Sequence, residues 1–427
     1  MARRQTGEGS IFKRKDGGKN SKWAASVFIG YDPKTGKPKR KTFYGPTRAT
    51  VAEKLAEVLP KLKNGGWHEP SKQLFADWLD TWLNDYMKPS LRPTTWESYF
   101  YLANKHIAPA LGHLRIKQLQ TAHLQKLYND KLEGGREDGK GGGLSPRTVR
   151  YIHVVIRGAL EQAKKEGAIL INPADSVKLP REQKKEIRFF DAEEMARFLN
   201  AARETRWFPA YLLELATGLR RGELLALRWK DVDLEKGSVT VNQNLVRVKG
   251  GLKFQEPKTK LANRTISIPT GVATELRAYK KRQAEEKLNA GMAWQKELTF
   301  LREKPEKNDL VFSNELGGPC CPRGITQHFE RLIEKYNMKV EEKGKRERWK
   351  QEAIDAAKLP RITFHGLRHT FATMSLQEGV DMKTTQENLG HFDPAFTLSV
   401  YSGVTKRMKQ EATDKIGNLL ASCLDNK

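Results

Sequence analysis

The chain has 427 residues, which is enough for two or three domains that each bury a core. Its hydrophobic fraction of 38% excludes a disordered chain. A formal net charge of +26 favours a polyanionic partner, which could be DNA, RNA or an anionic membrane surface, and it disfavours self-association without one.

Two further classes are excluded by composition and hydropathy. No apolar run approaches the roughly 20 residues that cross a bilayer, and the first residues carry charge without an apolar segment. We therefore expect no membrane partner and a location in the cytoplasm, at the nucleoid of a bacterial host. The three cysteines, Cys320, Cys321 and Cys423, have neither a disulfide framework nor zinc-ligand spacing, so reduced thiols are expected.

The N-terminal segment concentrates positive charge on predicted strands. Residues 1–65 hold 16 Lys and Arg against 5 Asp and Glu. The stretches GSIFKRK, KWAASVFIG and KRKTFYG are rich in β-formers, and YDPKTGK between the last two is a turn. Thr50 and Glu53 are spaced as a capping box before a helix that Pro60 should kink or end. A small basic three-stranded sheet with one helix is predicted, able to enter a major groove, although a solvated basic face is the alternative.

Four amphipathic helices with short connections are predicted next. The first carries an apolar stripe from Leu74 to Tyr86, the second begins at Pro93, and the third lies around TAHLQKLYNDKL. The fourth begins at Ser145 and Pro146 and presents Val149, Ile152, Val155, Ile156, Leu160 and Ala163 on one side. The pattern predicts a compact helical bundle. The glycine-rich stretch 134–143 follows a helix and lacks the Gly-Lys-Ser/Thr ending, so it is a connector and not a phosphate-binding loop.

The remainder of the chain is predicted to be mixed but mainly helical. Residues 171–186 read as a linker, and Asp191 with Glu194 starts a helix. The stretches SVTVNQNLV and RTISIP are predicted strands, joined by a basic loop that exposes Lys258. Two charged stretches, residues 283–307 and 339–358, are predicted to be solvated or partner-facing helical inserts without chemistry.

The stretch TFHGLRHTFA, residues 363–372, places three titratable or cationic side chains on one helical turn. His365 and His369 have the spacing of a zinc-binding helix, but the residue after His365 is Gly366, and Arg368 lies between the two rings. A guanidinium is a poor neighbour for Zn²⁺. It is a good ligand for phosphate oxygens, and an imidazole beside it can donate a hydrogen bond or move a proton. The stretch therefore favours a phosphate site over a metal site, and a basic surface helix remains the third reading.

Three other stretches supply partners for such a site. In TGLRRGELLALRW, Arg220 starts a helix and Glu223 lies three residues on, spaced to orient it; the adjacent Arg221 is the alternative guanidinium. The loop PKTK contains Lys258, with Lys260 as its alternative. In the last stretch, LGH contains His391 and VYSGVT contains Tyr401.

These boxes, in this order, resemble the tyrosine recombinase (phage integrase) family. The resemblance rests on TGLRRGELLALRW, PKTK, HGLRHTFAT, LGH and VYSGVT and covers about residues 185–405. It implies a three-domain integrase of a prophage or integrative mobile element, in the fold class multidomain α+β. The implied layout is an arm-type DNA-binding domain at 1–66, a helical core-binding (SAM-like) domain at 72–170, a linker at 171–186 and a catalytic domain with a C-terminal tail helix at 187–427.

The resemblance also implies the roles of the residues that hold and attack the phosphate. Tyr401 would be the nucleophile that forms a 3′-phosphotyrosine and frees a 5′-hydroxyl. Arg220 and Arg368 would bind the non-bridging oxygens, and His391 would donate a hydrogen bond to the phosphate. A phenol with a pKa near 10 needs a base and nearby cations to react at neutral pH, and such fixed donors stabilise the charge of the transition state.

Proton transfer falls to two further residues of the same boxes. Lys258 resembles the general acid that protonates the leaving 5′-oxygen, and His365 would take the proton of the tyrosine. Glu223 and His369 resemble supporting residues. Neither a metal nor another cofactor is expected.

The expected partners follow from the resemblance. They are double-stranded DNA at core and arm attachment sites, three other copies in a homotetramer, an excision factor and a DNA-bending host protein. Met408, Ala412, Ile416, Leu419 and Leu420 predict a final helix, which would pack on its own domain or on a neighbouring protomer. Two other functions remain open at this point, a DNA-binding regulator with a decayed site and a type IB-like topoisomerase.

Overall fold

The computed structural model describes residues 9–13, 22–31, 37–63, 73–136, 141–182, 188–257, 263–301 and 304–390, with 413, 416 and 417. The chain divides into two compact units, residues 1–183 and 184–427. No helix among these described residues is long and apolar enough to cross a membrane. Almost all of the predicted tail helix lies outside the described residues.

The first unit begins with an antiparallel sheet, β1 (Ser10–Lys13), β2 (Trp23–Tyr31) and β3 (Pro38–Gly45), in the order β1-β2-β3. Helix α1 (Arg48–Lys63) packs against it. Ala25 and Val27 alternate onto the inner face of β2, and Val51 and Leu55 are one turn apart on α1, so the four side chains form a small core.

One expectation for α1 was wrong, and one of the two alternatives for Pro60 is excluded. The helix begins before Thr50, because the Thr47 hydroxyl accepts the Thr50 amide hydrogen at 3.2 Å and caps the first turn. It also continues through Pro60 to Lys63, so Pro60 does not end it. Pro60 removes only one amide donor close to the end of the helix.

The second part of this unit is the predicted bundle. Its core includes the predicted stripe on helix α7 (Pro146–Lys165), whose apolar side chains are fully buried. Ser145 caps α7 by accepting the Thr148 amide hydrogen, as predicted. Four shorter α-helical segments and two π-helical turns form the first two rods of the bundle. The elements are α2 (Phe75–Thr81), a π-helical turn (Trp82–Met87), α3 (Lys88–Ser90), α4 (Pro93–Leu102), a second π-helical turn (Ala103–Ile107), α5 (Ala108–Leu111), α6 (Thr121–Gly134) and α7 (Pro146–Lys165).

The second unit is mainly helical, with three small antiparallel sheets of order β4-β5-β8, β6-β7 and β9-β10. Asp191 and Glu194 form the predicted capping box at its first helix. The elements are α8 (Ala192–Ala202), α9 (Phe208–Thr217), α10 (Arg221–Leu225), β4 (Val232–Asp233), β5 (Ser238–Val241), β6 (Asn244–Val248), β7 (Gly251–Gln255), β8 (Arg264–Ser267), α11 (Thr270–Ala290), β9 (Glu297–Thr299), β10 (Pro305–Lys307), α12 (Pro322–Arg346), α13 (Gln351–Ala357), α14 (Phe364–Gln377) and α15 (Met382–Leu389).

The strand prediction around Lys258 was incomplete. SVTVNQNLV is two strands, because Gln243 between them turns its amide to the Ala226 carbonyl. β6 then pairs with β7, which was not predicted, through a turn at Gly250 and Gly251, both of which have positive φ. Residues 258–262, which include Lys258, therefore follow β7 and precede β8 in the chain, and they lie outside the described residues.

The first charged insert was also misjudged. Gln283 is buried, and its amide donates to Val311 O at 2.9 Å and accepts from the Trp229 indole at 2.7 Å. Trp294 and Phe300 are buried as well. Residues 283–301 and 304–307 form the end of α11, a 3₁₀ turn and the paired strands β9 and β10, so the stretch is not one helical insert, and four of its side chains, those of Gln283, Trp294, Leu298 and Phe300, are buried. Overall, the predicted fold class is confirmed: a multidomain α+β chain with a small three-stranded sheet and one helix, a helical bundle and a mainly α C-terminal unit with small sheets.

We predict that Trp78→Phe destabilises the bundle by about 2 kcal/mol, because Trp78 is buried and its indole donates to the Ala159 carbonyl of α7 at 2.8 Å. Chemical denaturation of the full chain, followed by circular dichroism, measures the change. The control is Tyr101→Phe, whose ring is 57% exposed and whose replacement should change the free energy of unfolding by less than about 0.5 kcal/mol. Equal effects of the two variants would contradict the prediction.

Candidate active site

Arg220 is positioned by a tight connection between two helices. α9 ends at Gly218, whose φ of +60° is left-handed and where a Cβ atom would lie 2.4 Å from the Phe371 ring. Arg220 is extended and caps α10. Its amide donates to Glu223 Oε2 at 3.0 Å and its Nη1 to Glu223 Oε1 at 2.7 Å. The predicted orientation of Arg220 by Glu223 is thus confirmed, and Arg221 instead donates to the Thr326 hydroxyl.

Glu223 also binds a second guanidinium, that of Arg264. Nη2 of Arg264 lies 2.9 Å from Glu223 Oε2, and both side chains are at least 92% buried. Burial by itself would raise the pKa of Glu223, but the charge and hydrogen bond of Arg264, followed by Arg220, outweigh it and lower the pKa. Glu223 is therefore ionised at neutral pH and joins α10 to β8.

Three arginines converge on the C-terminal end of α15. This helix ends at Gly390 in a left-handed conformation, so its last carbonyl groups have no partner within the helix. Three successive carbonyl oxygens each accept one hydrogen bond from a guanidinium: Asn388 from Arg264 at 2.6 Å, Leu389 from Arg368 at 2.6 Å and Gly390 from Arg220 at 3.0 Å. Cations complement the negative end of the helix dipole. The residue before His391 is thus held against Arg220.

Arg368 is buried more deeply than Arg220. Its side chain is 1% exposed, whereas that of Arg220 is 40% exposed. Nη1 of Arg368 also donates to the Gly218 carbonyl at 2.5 Å. Burial, and then the charge of Arg220, lowers the pKa of Arg368 to about 9, so that the guanidinium stays charged at neutral pH. Two of its five N–H donors are used by the carbonyl groups.

His365 and His369 stand beside these guanidinium groups. Their rings lie 5.0 Å apart and are nearly perpendicular, as the i, i+4 spacing on α14 predicts. Partial burial, followed by the positive charges of His369 and Arg368, lowers the pKa of His365 to about 4. Burial and Arg368 likewise lower the pKa of His369 to about 4. Both imidazoles are neutral at pH 7, and a neutral imidazole can accept a proton.

A second carboxyl group, that of Glu214 in α9, lies near Arg368, Glu223 and Arg264. Its side chain is fully buried, and among the described residues neither carboxyl oxygen has a hydrogen-bond partner. Burial raises the pKa of Glu214 well above its usual value; Arg368 and Arg264 act in the opposite direction but do not restore it. A protonated Glu214 adds no negative charge to the cluster.

The structure brings together five of the eight residues expected from the sequence, namely Arg220, Glu223, His365, Arg368 and His369. Lys258, His391 and Tyr401 lie outside the described residues. The described stretch 304–390 ends beside the arginines at Gly390, the residue before His391.

Sequence reasoning missed Arg264 and Glu214. The signal for Arg264 was its place in RTISIP, because Arg264 and Ile266 alternate onto the same, buried face of β8. The signal for Glu214 was a carboxylate inside the otherwise apolar run YLLELAT. A charged residue at an apolar position indicates a partner or a shifted pKa.

We predict that Glu214→Gln stabilises the chain increasingly as the pH rises. Because the pKa of Glu214 is raised in the folded state, its ionisation opposes folding, and the free energy of unfolding falls as the pH rises above its ordinary value of 4.5. Glutamine cannot ionise, so the free energy of unfolding of the variant should exceed that of the native chain at about pH 8 and approach it at about pH 5. Urea denaturation at several pH values measures this difference. Glu193→Gln, which removes a carboxylate that is 87% exposed, is the surface control. A difference that does not change with pH would contradict the prediction.

We predict that Arg264→Ala lowers the free energy of unfolding by about 3 kcal/mol or more. The substitution removes one of the two cations of the buried Glu223 and leaves the Asn388 carbonyl without its guanidinium. The matched control is Arg277→Ala, because Arg277 also contacts a carboxylate, Glu235, but both side chains are exposed; its loss should cost less than about 1 kcal/mol. Similar losses of stability in the two variants would show that the buried pair of Arg264 and Glu223 contributes no more than the exposed pair of Arg277 and Glu235, contrary to the prediction.

Comparison with known proteins agrees with this geometry. Residues 188–408 match the family model described as phage integrase family, and residues 74–132 match the model described as phage integrase, N-terminal SAM-like domain. The chain is 28% identical to a "Tyrosine recombinase XerC-like" protein of Caldanaerobacter subterraneus subsp. tengcongensis, over 94% of this chain and 97% of that one. It is 24% identical to the "ICEBs1 integrase" of Bacillus subtilis, over 94% and 98% of the two chains.

Solved structures share the fold. A structure of the Tn1549 transposon integrase in complex with transposon right end DNA has a TM-score of 0.63 and 21% identity, covering 80% of this chain and 100% of that one. A lambda integrase tetramer bound to a Holliday junction has a TM-score of 0.50 and 17% identity, covering 90% and 96%. Since the phage integrase model matches more than half of the chain, over the stretch that carries the arginine and histidine cluster, this chain belongs to the phage integrase family and is a tyrosine recombinase.

Proposed function

We propose that the arginine cluster binds the scissile phosphate of duplex DNA and that Tyr401 attacks it. The observation that carries the proposal is the convergence of Arg220, Arg264 and Arg368 on the carbonyl groups just before His391. The family supplies the substrate class, DNA, and the geometry supplies a cationic site for one phosphate. Arg220 is the exposed member, so an entering phosphate meets Arg220 first, with the charge of Arg368 beneath it.

The proposed step transfers one phosphoryl group. The phenol oxygen of Tyr401 forms a bond to phosphorus while the bond from phosphorus to the 5′-oxygen breaks. His365, neutral at pH 7, takes the phenol proton, and Lys258 gives a proton to the leaving 5′-oxygen. The product is a 3′-phosphotyrosine and a 5′-hydroxyl. Because the phosphotyrosine conserves the energy of the broken bond, a 5′-hydroxyl of another strand can reverse the step and rejoin DNA.

The remaining assignments extend this chemistry. His391 would donate a hydrogen bond to the phosphate, and Glu223 and His369 would hold the reacting groups in place. We further propose that four copies of the chain act together on two duplexes, with the basic sheet of residues 1–66 on separate arm sites and the bundle of residues 72–170 on the core site. The tetramer of the similar lambda integrase supports this arrangement. An excision factor and a DNA-bending host protein would set the direction of recombination.

We predict that Tyr401→Phe abolishes the covalent adduct with DNA but retains DNA binding, because phenylalanine lacks the attacking oxygen. The substrates are nicked duplexes that cover both ends of the genetic element encoding this chain, with their host junctions, in which the nick lets the cleaved fragment diffuse away. Gel electrophoresis detects the adduct, and mass spectrometry locates the modified residue.

The control is a substitution of an exposed tyrosine of the first unit, Tyr101→Phe, which should form the adduct as the native chain does. Adduct formation by Tyr401→Phe, or an adduct on another residue, would refute the assignment of the nucleophile. Adduct formation on unrelated duplexes at the same rate would indicate a topoisomerase, and binding without any adduct a regulator.

A further inference from the structure

The second charged insert forms a helical hairpin that extends from the C-terminal unit. The first half of α12 is buried in the core through Ile325, Phe329 and Ile333, and Tyr336 is the last residue of α12 that packs against it. Ten residues separate Tyr336 from the end of α12 at Arg346, which corresponds to about 15 Å at 1.5 Å per residue. The tip of the hairpin therefore projects well beyond the core.

The hairpin is held in one conformation by contacts of its own. α12 and α13 approach so closely at Gly344 that a Cβ atom there would lie 2.5 Å from the Ile354 side chain. The Trp349 amide donates to the Gly344 carbonyl at 2.8 Å, and the Lys343 ammonium lies 5.3 Å from the centre of the Trp349 ring. Arg348 turns the chain with a left-handed φ of +57°. These contacts define the conformation of the turn between α12 and α13.

Three acidic residues of the hairpin, Glu334, Glu341 and Asp355, pair with cations near its base, whereas Glu342 and Glu352 are exposed beside the tip. Lys358 binds Glu341 at 2.7 Å and Asp355 at 3.2 Å, and Arg361 lies 3.6 Å from Glu334. The hydrogen bond and charge of Lys358 lower the pKa of Glu341, so that its carboxylate is ionised in this pairing. The base of the hairpin thus carries little net charge.

The tip, in contrast, is strongly basic. Residues 343–350 contain five Lys and Arg against one acidic residue, Glu347, and all six are exposed. The contact of Glu347 with Arg346, at 3.5 Å between exposed groups, contributes little. The fold therefore collects a net charge of about +4 on a rigid projection.

We propose that this tip, residues 343–350, is an additional contact for the phosphate backbone of duplex DNA, outside the segment that the active site holds. The proposal rests on the proposed function, because it needs DNA to be the substrate of the C-terminal unit. DNA fits better than a second copy of this chain, since a copy carries a net charge of +26 and repels the tip, whereas duplex DNA offers one negative charge per about 1.7 Å and releases bound counterions.

The test compares two triple variants that remove the same charge. The tip variant is Lys345→Gln, Arg346→Gln and Lys350→Gln, which spares the Lys343 contact with Trp349. The control variant is Lys281→Gln, Lys287→Gln and Lys296→Gln, three exposed lysines on and after α11. Binding of each full-length chain to a labelled duplex of arbitrary sequence, about 40 base pairs long, is measured against salt concentration.

The tip variant should bind more weakly at low salt, and the slope of log affinity against log salt should fall by about 2 to 3, since each lost phosphate contact removes about 0.9. The control variant should keep the native slope. A native slope in the tip variant, or an equal fall in both variants, would overturn the proposal.

A trapped-adduct assay on the same proteins separates this proposal from the proposed function. If the native chain forms no adduct while the slopes differ as expected, the cleavage chemistry fails and the tip contact stands. If the native chain forms the adduct and the salt slopes of the tip and control variants do not differ, only the proposed tip contact is refuted. Unfolding midpoints that match the native chain show that both variants are folded.

Discussion

The arrangement of the active site depends on one buried carboxylate. Glu223 accepts hydrogen bonds from the amide and guanidinium of Arg220 and from the guanidinium of Arg264. A carboxylate with four lone-pair positions can hold two guanidinium groups in fixed orientations, and each pair is both an ion pair and a directional hydrogen bond. Without Glu223, two guanidinium groups would lie close together with nothing between them. The same carboxylate links α10, which contains Glu223, to β8, which contains Arg264.

The arginines in turn fix the segment that leads to the predicted nucleophile. Helices usually end with carbonyl groups turned to water or to a glycine cap. Here the cap at Gly390 is supplemented by guanidinium groups from α10, β8 and α14, bound to three consecutive carbonyl oxygens. A Cβ atom at Gly390 would lie 3.0 Å from Arg264, so glycine also allows this close approach. The groups proposed to bind phosphate and the end of α15 up to Gly390 are thus held by the same contacts.

Short-range sequence patterns predicted several of the helices and contacts described above. The stripe on α7, the Asp191 box and the Arg220 and Glu223 pair rest on contacts three or four residues apart, so the sequence contains both partners. Arg264 was missed because its partners lie 41 and 124 residues away, and periodicity does not report such contacts. β7 was missed because a glycine turn interrupts the pattern. Residues 339–358 were predicted to be a charged helical insert, solvated or partner-facing, but their composition does not reveal that Gly344 lets α12 and α13 approach closely as a hairpin.

The balance of charge connects the site to the proposed chemistry. Three guanidinium groups surround one ionised carboxylate, Glu223, and His365 and His369 are neutral at pH 7. Burial raises the pKa of the second carboxyl group, Glu214, and so favours its protonated form, in which the cluster has a surplus of two positive charges. A phosphodiester carries one negative charge, and attack by a phenolate brings a second into the transition state. A fixed surplus of two charges therefore suits the transition state better than the bound substrate, which is the condition for electrostatic catalysis. An ionised Glu214 would remove half of that surplus, so the burial that favours a protonated Glu214 also favours the charge with which the site would stabilise the reaction.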